Sequence, residues 1–271
     1  MFTSQFTLKK IKYFNVRAVI ISFMLLLTIS CAKRPLETDH EARLIYNEAN
    51  DPLEPMNRQI FLLNTIFDEV ALEPAARLYR MWGPPDIRDG ISNFVGNWRE
   101  PVTFVNDILQ MEPKRAGTSF LRFLINSSFG ILGTFDTASS WGIKGHNEDF
   151  GETFAVWGLP EGPFIMLPFL GPSNARDLSG FTVDFFYDPT SMWLSHKKWP
   201  YVRYGRLGLK GLIYREENLE TLDDLSKSST DFYATMRSSY RQLRTYDINN
   251  GNLDTSEEDD LFDEEFEDFE F

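Results

Sequence analysis

Cysteine is nearly absent from this chain. Cys31 is the single one in 271 residues, which excludes an intrachain disulfide framework, a cysteine-based zinc site and a CxxC redox pair. Histidine is scarce as well. His40, His146 and His196 are the three, and no two stand three or four residues apart, the spacing that presents two imidazoles to one metal. Long apolar runs are missing after Cys31: residues 123–135 give thirteen uncharged positions, and residues 162–175 give fourteen with three prolines among them. A helix needs about 20 apolar residues to cross a bilayer, so neither run crosses one. Basic residues are in deficit, 27 against 40 acidic, for a net charge of −13. Residues 1–30 hold four basic and no acidic side chains and residues 254–271 eleven acidic and no basic ones, so residues 31–253 carry −6. No net basic face is available for nucleic acid.

The motifs of catalysis are missing too. Neither GxGxxG nor GxxxxGK[ST] occurs. Gly171-Pro172-Ser173-Asn174-Ala175 lacks the last glycine of a nucleophile elbow, and Ser173 reads instead as a helix cap before Arg176 and Asp177. His146-Asn147-Glu148-Asp149 after Gly145 reads as a solvated turn rather than a metal site. No carboxylate pair is singled out as acid and base, so no catalytic residue, metal or cofactor is expected and the chain does not read as an enzyme.

What the chain has in excess is phenylalanine: 24 residues, within 15% aromatics. That much aromatic surface calls for a very large core or for lipid to face. The N-terminus carries a second signal. Lys9, Lys10, Lys12 and Arg17 precede an uncharged run at residues 18–29, and Ser30 stands before Cys31, which is the anatomy of a signal peptide. Twelve helical residues reach about 18 Å at ~1.5 Å each, short of a ~30 Å hydrocarbon core. Leu27-Thr28-Ile29-Ser30-Cys31 resembles a bacterial lipobox, with Thr28 a departure from its usual Leu, so Cys31 is the expected lipidation site. Ala32 follows it in place of the Asp that often retains such proteins in the inner membrane.

Residues 31–50 are polar and read as a tether. Asp51-Pro52-Leu53-Glu54 reads as a helix start with Asp51 as cap, and Pro55 is able to restart the helix. Beyond it Ile60, Phe61, Leu62, Leu63, Ile66 and Phe67 cover most of a helix circumference, as in a helix buried in protein or in lipid. Helical spacing recurs at Ile87, Ile91, Phe94, Val95 and Trp98, after Pro101 at Val102, Val105, Ile108 and Leu109, and after Pro113 at Phe120, Leu121 and Leu124. Residues 130–172 are rich in Gly and Pro, and the stretch 163–170 reads as extended or re-entrant. Ser229 or Thr230 is the expected cap of a last helix with Phe232, Tyr233, Met236, Tyr240 and Leu243 on one side. These patterns alone fit equally a lipid-anchored domain entering one leaflet with amphipathic helices and an all-α periplasmic protein with an aromatic core.

Ordered blocks then supply a resemblance. Asp51-Pro52-Leu53-Glu54 with Asn57-Arg58, Gly90-Ile91-Ser92-Asn93-Phe94 with Asn97, Glu100 and Pro101, and Arg122-Phe123-Leu124-Ile125-Asn126 with Gly130, Gly133, Phe135 and Asp136 come first. Asp149-Phe150-Gly151-Glu152-Thr153, Trp157-Gly158, Gly162-Pro163, Leu167-Pro168, Gly171-Pro172-Ser173 and Arg176-Asp177 follow. Asp231-Phe232-Tyr233-Ala234 with Arg237, Tyr240, Gln242 and Arg244 closes the series. Residues 51–246 thereby resemble the MlaA (VacJ) family of outer-membrane phospholipid-transport lipoproteins. The resemblance implies an all-α fold, a ring-like assembly of amphipathic helices with Gly/Pro-rich connections, lipid-anchored and partly embedded in the inner leaflet of the outer membrane. It implies a channel that takes misplaced phospholipids from the outer leaflet to a soluble periplasmic carrier, preserving lipid asymmetry, and association with a porin trimer. A channel for a lipid with a charged head needs apolar and polar walls together. Arg122 and Asn126 beside Phe123 and Leu124 are the candidates, their alternative role being ion pairing between helices.

The resulting organisation is a signal peptide at 1–30, a lipidated tether at 31–50, a helical domain at 51–246 and an acidic tail at 247–271. In the tail Phe262, Phe266 and Phe269 recur at helical spacing among acids. Three readings stand: a solvated disordered tail, docking on the chain's own Arg237, Arg241 and Arg244, or recruitment of the carrier. The Cys31→Ser substitution is expected to release the protein from membranes or to block its processing. Palmitate labelling that persists in this variant contradicts the anchor assignment.

Overall fold

The computed structural model describes residues 32, 34–189, 192 and 201–252. The signal segment, Cys31, His196 and the tail beyond residue 252 lie outside the described residues. In chain order the elements are α1 (His40–Ala49), α2 (Glu54–Phe67), a π-helical turn (Asp68–Leu72), α3 (Glu73–Trp82), α4 (Pro85–Asn97), α5 (Glu100–Leu109), α6 (Pro113–Ser128), α7 (Thr137–Ser140), α8 (Phe150–Val156), β1 (Phe164–Leu167), β2 (Gly171–Asn174), α9 (Ala175–Tyr187), α10 (Val202–Glu217), α11 (Leu219–Ser228) and α12 (Phe232–Ile248). Most of the described residues are helical, with a single two-stranded sheet among them, and no helix among the described residues is long and apolar enough to cross a membrane.

Local chemistry sets several of these boundaries. α1 lies within the polar stretch ahead of residue 51, and Asp39 caps it by accepting from the Ala42 amide at 3.1 Å. α1 buries no residue. Asp51 does not cap α2: the cap position is Leu53, and Pro55 stands in the first turn. The Asp51 carboxylate is engaged elsewhere, accepting from the Asn57 amide at 2.7 Å and from the Tyr233 hydroxyl, and pairing with Arg237 at 3.0 Å. Helix α2 continues without a break into α3 through the π turn. Pro74 in the first turn of α3 lacks an N–H for the carbonyl four residues back, and its ring crowds that carbonyl, so a widened turn just before it takes up the defect. Asn174 caps α9 in place of Ser173, accepting from the Asp177 amide at 2.7 Å. Asp231, one residue past the expected pair, caps α12.

Of the stretch 163–170, residues 164–167 are extended and residues 168–170 form a turn. β1 and β2 form an antiparallel hairpin with Phe164 opposite Asn174 and Leu167 opposite Gly171. Helix α2 completes this hairpin with two asparagines seven residues apart, hence on one face. Asn57 accepts from Met166 N at 2.9 Å and donates to Phe164 O at 3.1 Å. Asn64 accepts from Phe169 N at 2.8 Å and donates to Leu167 O at 2.9 Å.

Element contacts then run in a closed circuit, from α2 through the π turn to α3, α10, α4, α6, α5, α8, α12, β2 and β1, and back to α2. Close backbone approach fixes one side branch of it. A Cβ on Gly180 of α9 would stand 2.2 Å from the Gly151 amide nitrogen of α8, so only glycine fits there. The apolar core is small: Ile60, Phe164, Met166 and Tyr233, with Met56, Phe61 and Tyr240 packed on it. Among the described residues twenty polar or charged side chains are buried against ten apolar ones, while 35 large apolar side chains are exposed. The usual distribution is reversed.

The ring closes through Asn57, and Asn57→Ala tests this. The change strips two hairpin backbone groups and Asp51 of a buried partner, at about 1–3 kcal/mol per group left unpaired. Denaturant unfolding in mild detergent is expected to show a loss of roughly 3 kcal/mol with helix content retained. A midpoint unchanged within about 0.5 kcal/mol contradicts the closure role.

Candidate functional site

The buried polar groups gather at the joints of the ring. Between α5 and α6 the node is Arg122, which is 8% exposed. Its guanidinium donates to Glu100 at 2.8 Å, Asp136 at 3.1 Å, Ser139 Oγ at 3.0 Å and the Ile143 carbonyl at 2.6 Å. Asn126, one turn on, donates to Asp136 at 3.0 Å and accepts from the Ala138 amide at 2.8 Å. Burial works against the Asp136 charge, but hydrogen bonds from Ser139, Arg122 and Asn126 prevail and hold its carboxyl down at about 2. Arg122 and Asn126 therefore pin the 130–143 connection to α6. Phe123 is half-buried and Leu124 is exposed on the other side of the same helix.

A second node lies at the far end of α5. Asp107, His146 and Glu148 present ligand atoms within 4.8 Å of one another, and they form the one such His and carboxylate group among the described residues. Arg115 already fills the place of a cation there, bonding Glu148 and standing 3.6 Å from Asp107, while Gln110 donates to Glu148 at 2.8 Å. The 146–149 stretch is thus tied inward, and only Asn147 of its first three residues is exposed. Ser119 joins the group, donating to Asp107 at 2.7 Å. A nucleophile relay needs serine and carboxylate on opposite ring nitrogens. Here both meet His146 Nε2, at 3.4 Å and at 2.9 Å.

The third node belongs to Arg244 of α12. It donates to Asp149 at 2.7 and 3.0 Å, to Glu152 at 2.6 Å and to Asp177 at 2.9 Å, joining α8, α9 and α12. Tyr240 adds a hydrogen bond to Asp177 at 2.5 Å. The three carboxylates share one guanidinium and cannot all be charged at equal cost. Burial and the Asp149 charge push the Glu152 carboxyl up to about 10, whereas Arg244 holds Asp149 well below the usual carboxylate range against the cost of its own burial. Nearby Asp184 is raised to about 6, first by burial and then by Asp149. Arg237 and Arg241, the other two members of that helical stripe, are likewise paired within the domain, with Asp51 and Glu161 at 3.0 Å each.

Beside the second and third nodes opens a cavity of about 510 Å³, walled by Arg99, Arg115, His146, Asn147, Asp149 and Glu152 on one side and by the end of α12 on the other. The sequence blocks named Glu100, Asp149, Asp177 and Arg244, yet nothing in their spacing shows that 67 residues separate the partners Asp177 and Arg244. The helical interval of Arg237, Arg241 and Arg244 is the one signal that pointed to that face.

Fold and nodes together define a helical ring whose large apolar side chains are mostly exposed and whose buried polar side chains form the joints. A family model described as MlaA lipoprotein matches residues 49–247. The intermembrane phospholipid transport system lipoprotein MlaA of Haemophilus influenzae is 35% identical over 216 residues, 78% of this chain and 84% of that protein. The protein of the same description from Escherichia coli is 34% identical over 235 residues, 85% of this chain and 88% of its own. A solved structure described as "Structural basis for maintenance of bacterial outer membrane lipid asymmetry" aligns with a TM-score of 0.66 at 32% identity, covering 73% of this chain and 98% of that one. The chain belongs to the MlaA lipoprotein family.

The carboxyl cluster makes stability depend on pH in a defined sense. Asp184 keeps its proton to about 6 in the folded state and loses it near 3.8 when unfolded, so the folded state binds more protons in that window and stability falls as pH rises through it. The Asp184→Asn variant is expected to flatten the decline in melting temperature between about pH 4 and pH 6. An unchanged slope contradicts this assignment.

Proposed function

We propose that this chain is an outer-membrane lipoprotein that removes misplaced phospholipids from the outer leaflet and passes them to a soluble periplasmic carrier, so maintaining lipid asymmetry. The observation that carries the reading is the reversed surface. Exposed Leu62, Leu63, Ile66 and Phe67 run along α2, Val70 lies in the π turn, and Leu78, Met81 and Trp82 continue along α3. Exposed apolar side chains in this number are costly in water and favourable in hydrocarbon. One leaflet is about 15 Å deep, half of a bilayer, and about ten helical residues traverse it. Helices of 10 to 16 residues, as α2, α4, α5 and α6 are, suit that depth without spanning.

The relatives' names as components of a phospholipid transport system support the same reading. In it Cys31 carries the lipid anchor, residues 31–50 tether the ring to the periplasmic face of the membrane, and a porin trimer is the outer-membrane partner. Phe123 and Leu124 belong to the apolar wall of the lipid path, and Arg122 and Asn126 hold that wall in register from behind. Descent of a lipid along such a path breaks no covalent bond, in keeping with the absence of a relay at Ser119 and His146.

Deletion of the gene is expected to raise the phospholipid content of the outer leaflet, read by labelling of intact cells and by detergent sensitivity, and a plasmid copy should reverse both. Unchanged labelling in a clean deletion contradicts the transport role.

A further inference from the structure

The segment that leads from Cys31 to the ring reads in sequence as a tether, yet the structure fastens it at both ends. The Ala32 amide donates to the Pro52 carbonyl at 2.8 Å, 20 residues further along the chain. The residue after Cys31 therefore meets the backbone that leads into α2. At its far end the segment is latched to the hairpin joint. The Asn50 side chain donates to Glu161 at 2.9 Å and to the Gly162 carbonyl at 2.7 Å, and the Asn50 carbonyl accepts from the Phe164 amide at 2.8 Å. Arg241 of α12 closes the latch, bonding the Glu48 carbonyl and donating at 3.0 Å to the Glu161 oxygen that Asn50 also meets.

Each contact answers a local need. The Glu48 carbonyl has no helical donor four residues on, because Pro52 lacks an N–H, and a guanidinium suits the negative end of the α1 dipole. Asn50 stands at φ 46, a left-handed cap conformation that asparagine tolerates. Helix α1 itself buries no residue, so the order of the segment comes from its ends. Residues 32–48 also precede the stretch 49–247 that the family model matches. The difference in reach is large. Twenty residues span about 65 Å when extended, and about 25 Å root-mean-square as a flexible coil. Fastened at Ala32 and Pro52, the same segment adds almost nothing to the reach. Leu62, the first large apolar side chain exposed on α2, lies ten residues beyond Pro52, about 15 Å of helix or the depth of one leaflet.

We infer that residues 32–52 form a closed clasp rather than a leash, seating the mature N-terminus against the start of α2. The lipid on Cys31 and the exposed apolar side chains of α2 then enter the same leaflet, and the ring is held at a fixed height on the membrane. The acyl group rests on the reading of Cys31 given above, whereas the clasp rests on the contacts of Ala32, Asn50 and Arg241.

The test is a pulsed electron spin resonance distance measurement on the full-length lipoprotein in phospholipid nanodiscs. Nitroxides are placed on Arg34→Cys and Gln59→Cys, both exposed positions. Cys31 is the single native cysteine, and its acylation leaves the two introduced thiols free for labelling. One narrow distance distribution is expected. Asn50→Gly keeps the left-handed cap and removes the side-chain donor, and combined with Arg241→Gln it should widen the distribution at least twofold. A Gly-Ser-Gly-Ser insert between Thr38 and Asp39 lies inside the clasp and should leave the distance unchanged. A distribution in the parent chain as wide as that of the double variant overturns the clasp, and so does a distance that grows with the insert. Circular dichroism checks folding, and if the double variant does not fold, the parent chain and the insert carry the test. Mass spectrometry of the mature chain reports acylation separately: narrow distances on a chain without an acyl group remove the anchor and leave the clasp standing, so the two failures are told apart.

Discussion

A ring that leaves most of its large apolar side chains exposed has no large apolar core to hold it, and its closure depends on buried polar pairs at each joint. Asn57 replaces a strand partner for the hairpin, Arg80 and Arg88 meet Glu216 between α3, α4 and α10, and Arg215 reaches Asp68 in the π turn at 2.9 Å. Arg122 joins α5 to the 130–143 connection, Thr153 donates to Asn106 between α8 and α5 at 2.7 Å, and Arg244 binds three carboxylates from two other helices. Removing one partner of such a pair leaves an uncompensated buried charge, at about 3–5 kcal/mol, so the joints are specific in a way that an apolar seam is not. They fix which helix meets which, while the exposed apolar side chains are free to vary in shape.

The same arrangement explains why the titratable groups behave so differently within a few ångströms. Asp136 has four donors around it and stays ionised far into acid. Glu152 shares Arg244 with Asp149 and Asp177 and keeps its proton. One guanidinium among three carboxylates leaves a residual negative field over that joint.

The helices that were legible were so because they are periodic, whereas α1 in the polar tether, α3 and α10 were not read from the sequence. The stripe from Ile87 to Trp98 falls in α4, and that of Phe120, Leu121 and Leu124 falls in α6. Which way a stripe faces was not legible, since lipid and core select the same side chains: Ile87 is 56% exposed and Leu121 48%. Caps shifted by one or two positions, from Ser173 to Asn174 and from Thr230 to Asp231, because neighbouring polar side chains compete for the same amides. Asp51 was lost as a cap to partners 182 and 186 residues away in sequence. The hairpin escaped because four residues of Phe-Ile-Met-Leu show no alternation, and its outer hydrogen bonds come from asparagines of α2 rather than from a third strand. For the nodes the residues themselves were visible in the ordered blocks, but their pairing spans the whole ring and is a property of closure.

The account turns on whether the outward apolar faces meet lipid. The most direct measurement keeps Trp82, 78% exposed at the end of α3, as the sole tryptophan by replacing the other five with phenylalanine, and records its fluorescence in bilayers containing lipids brominated on the acyl chains. Strong quenching by the brominated lipid, with weak quenching by aqueous iodide, is the predicted result. A tryptophan open to iodide and indifferent to bromine would place that face in water and contradict the lipid-facing ring.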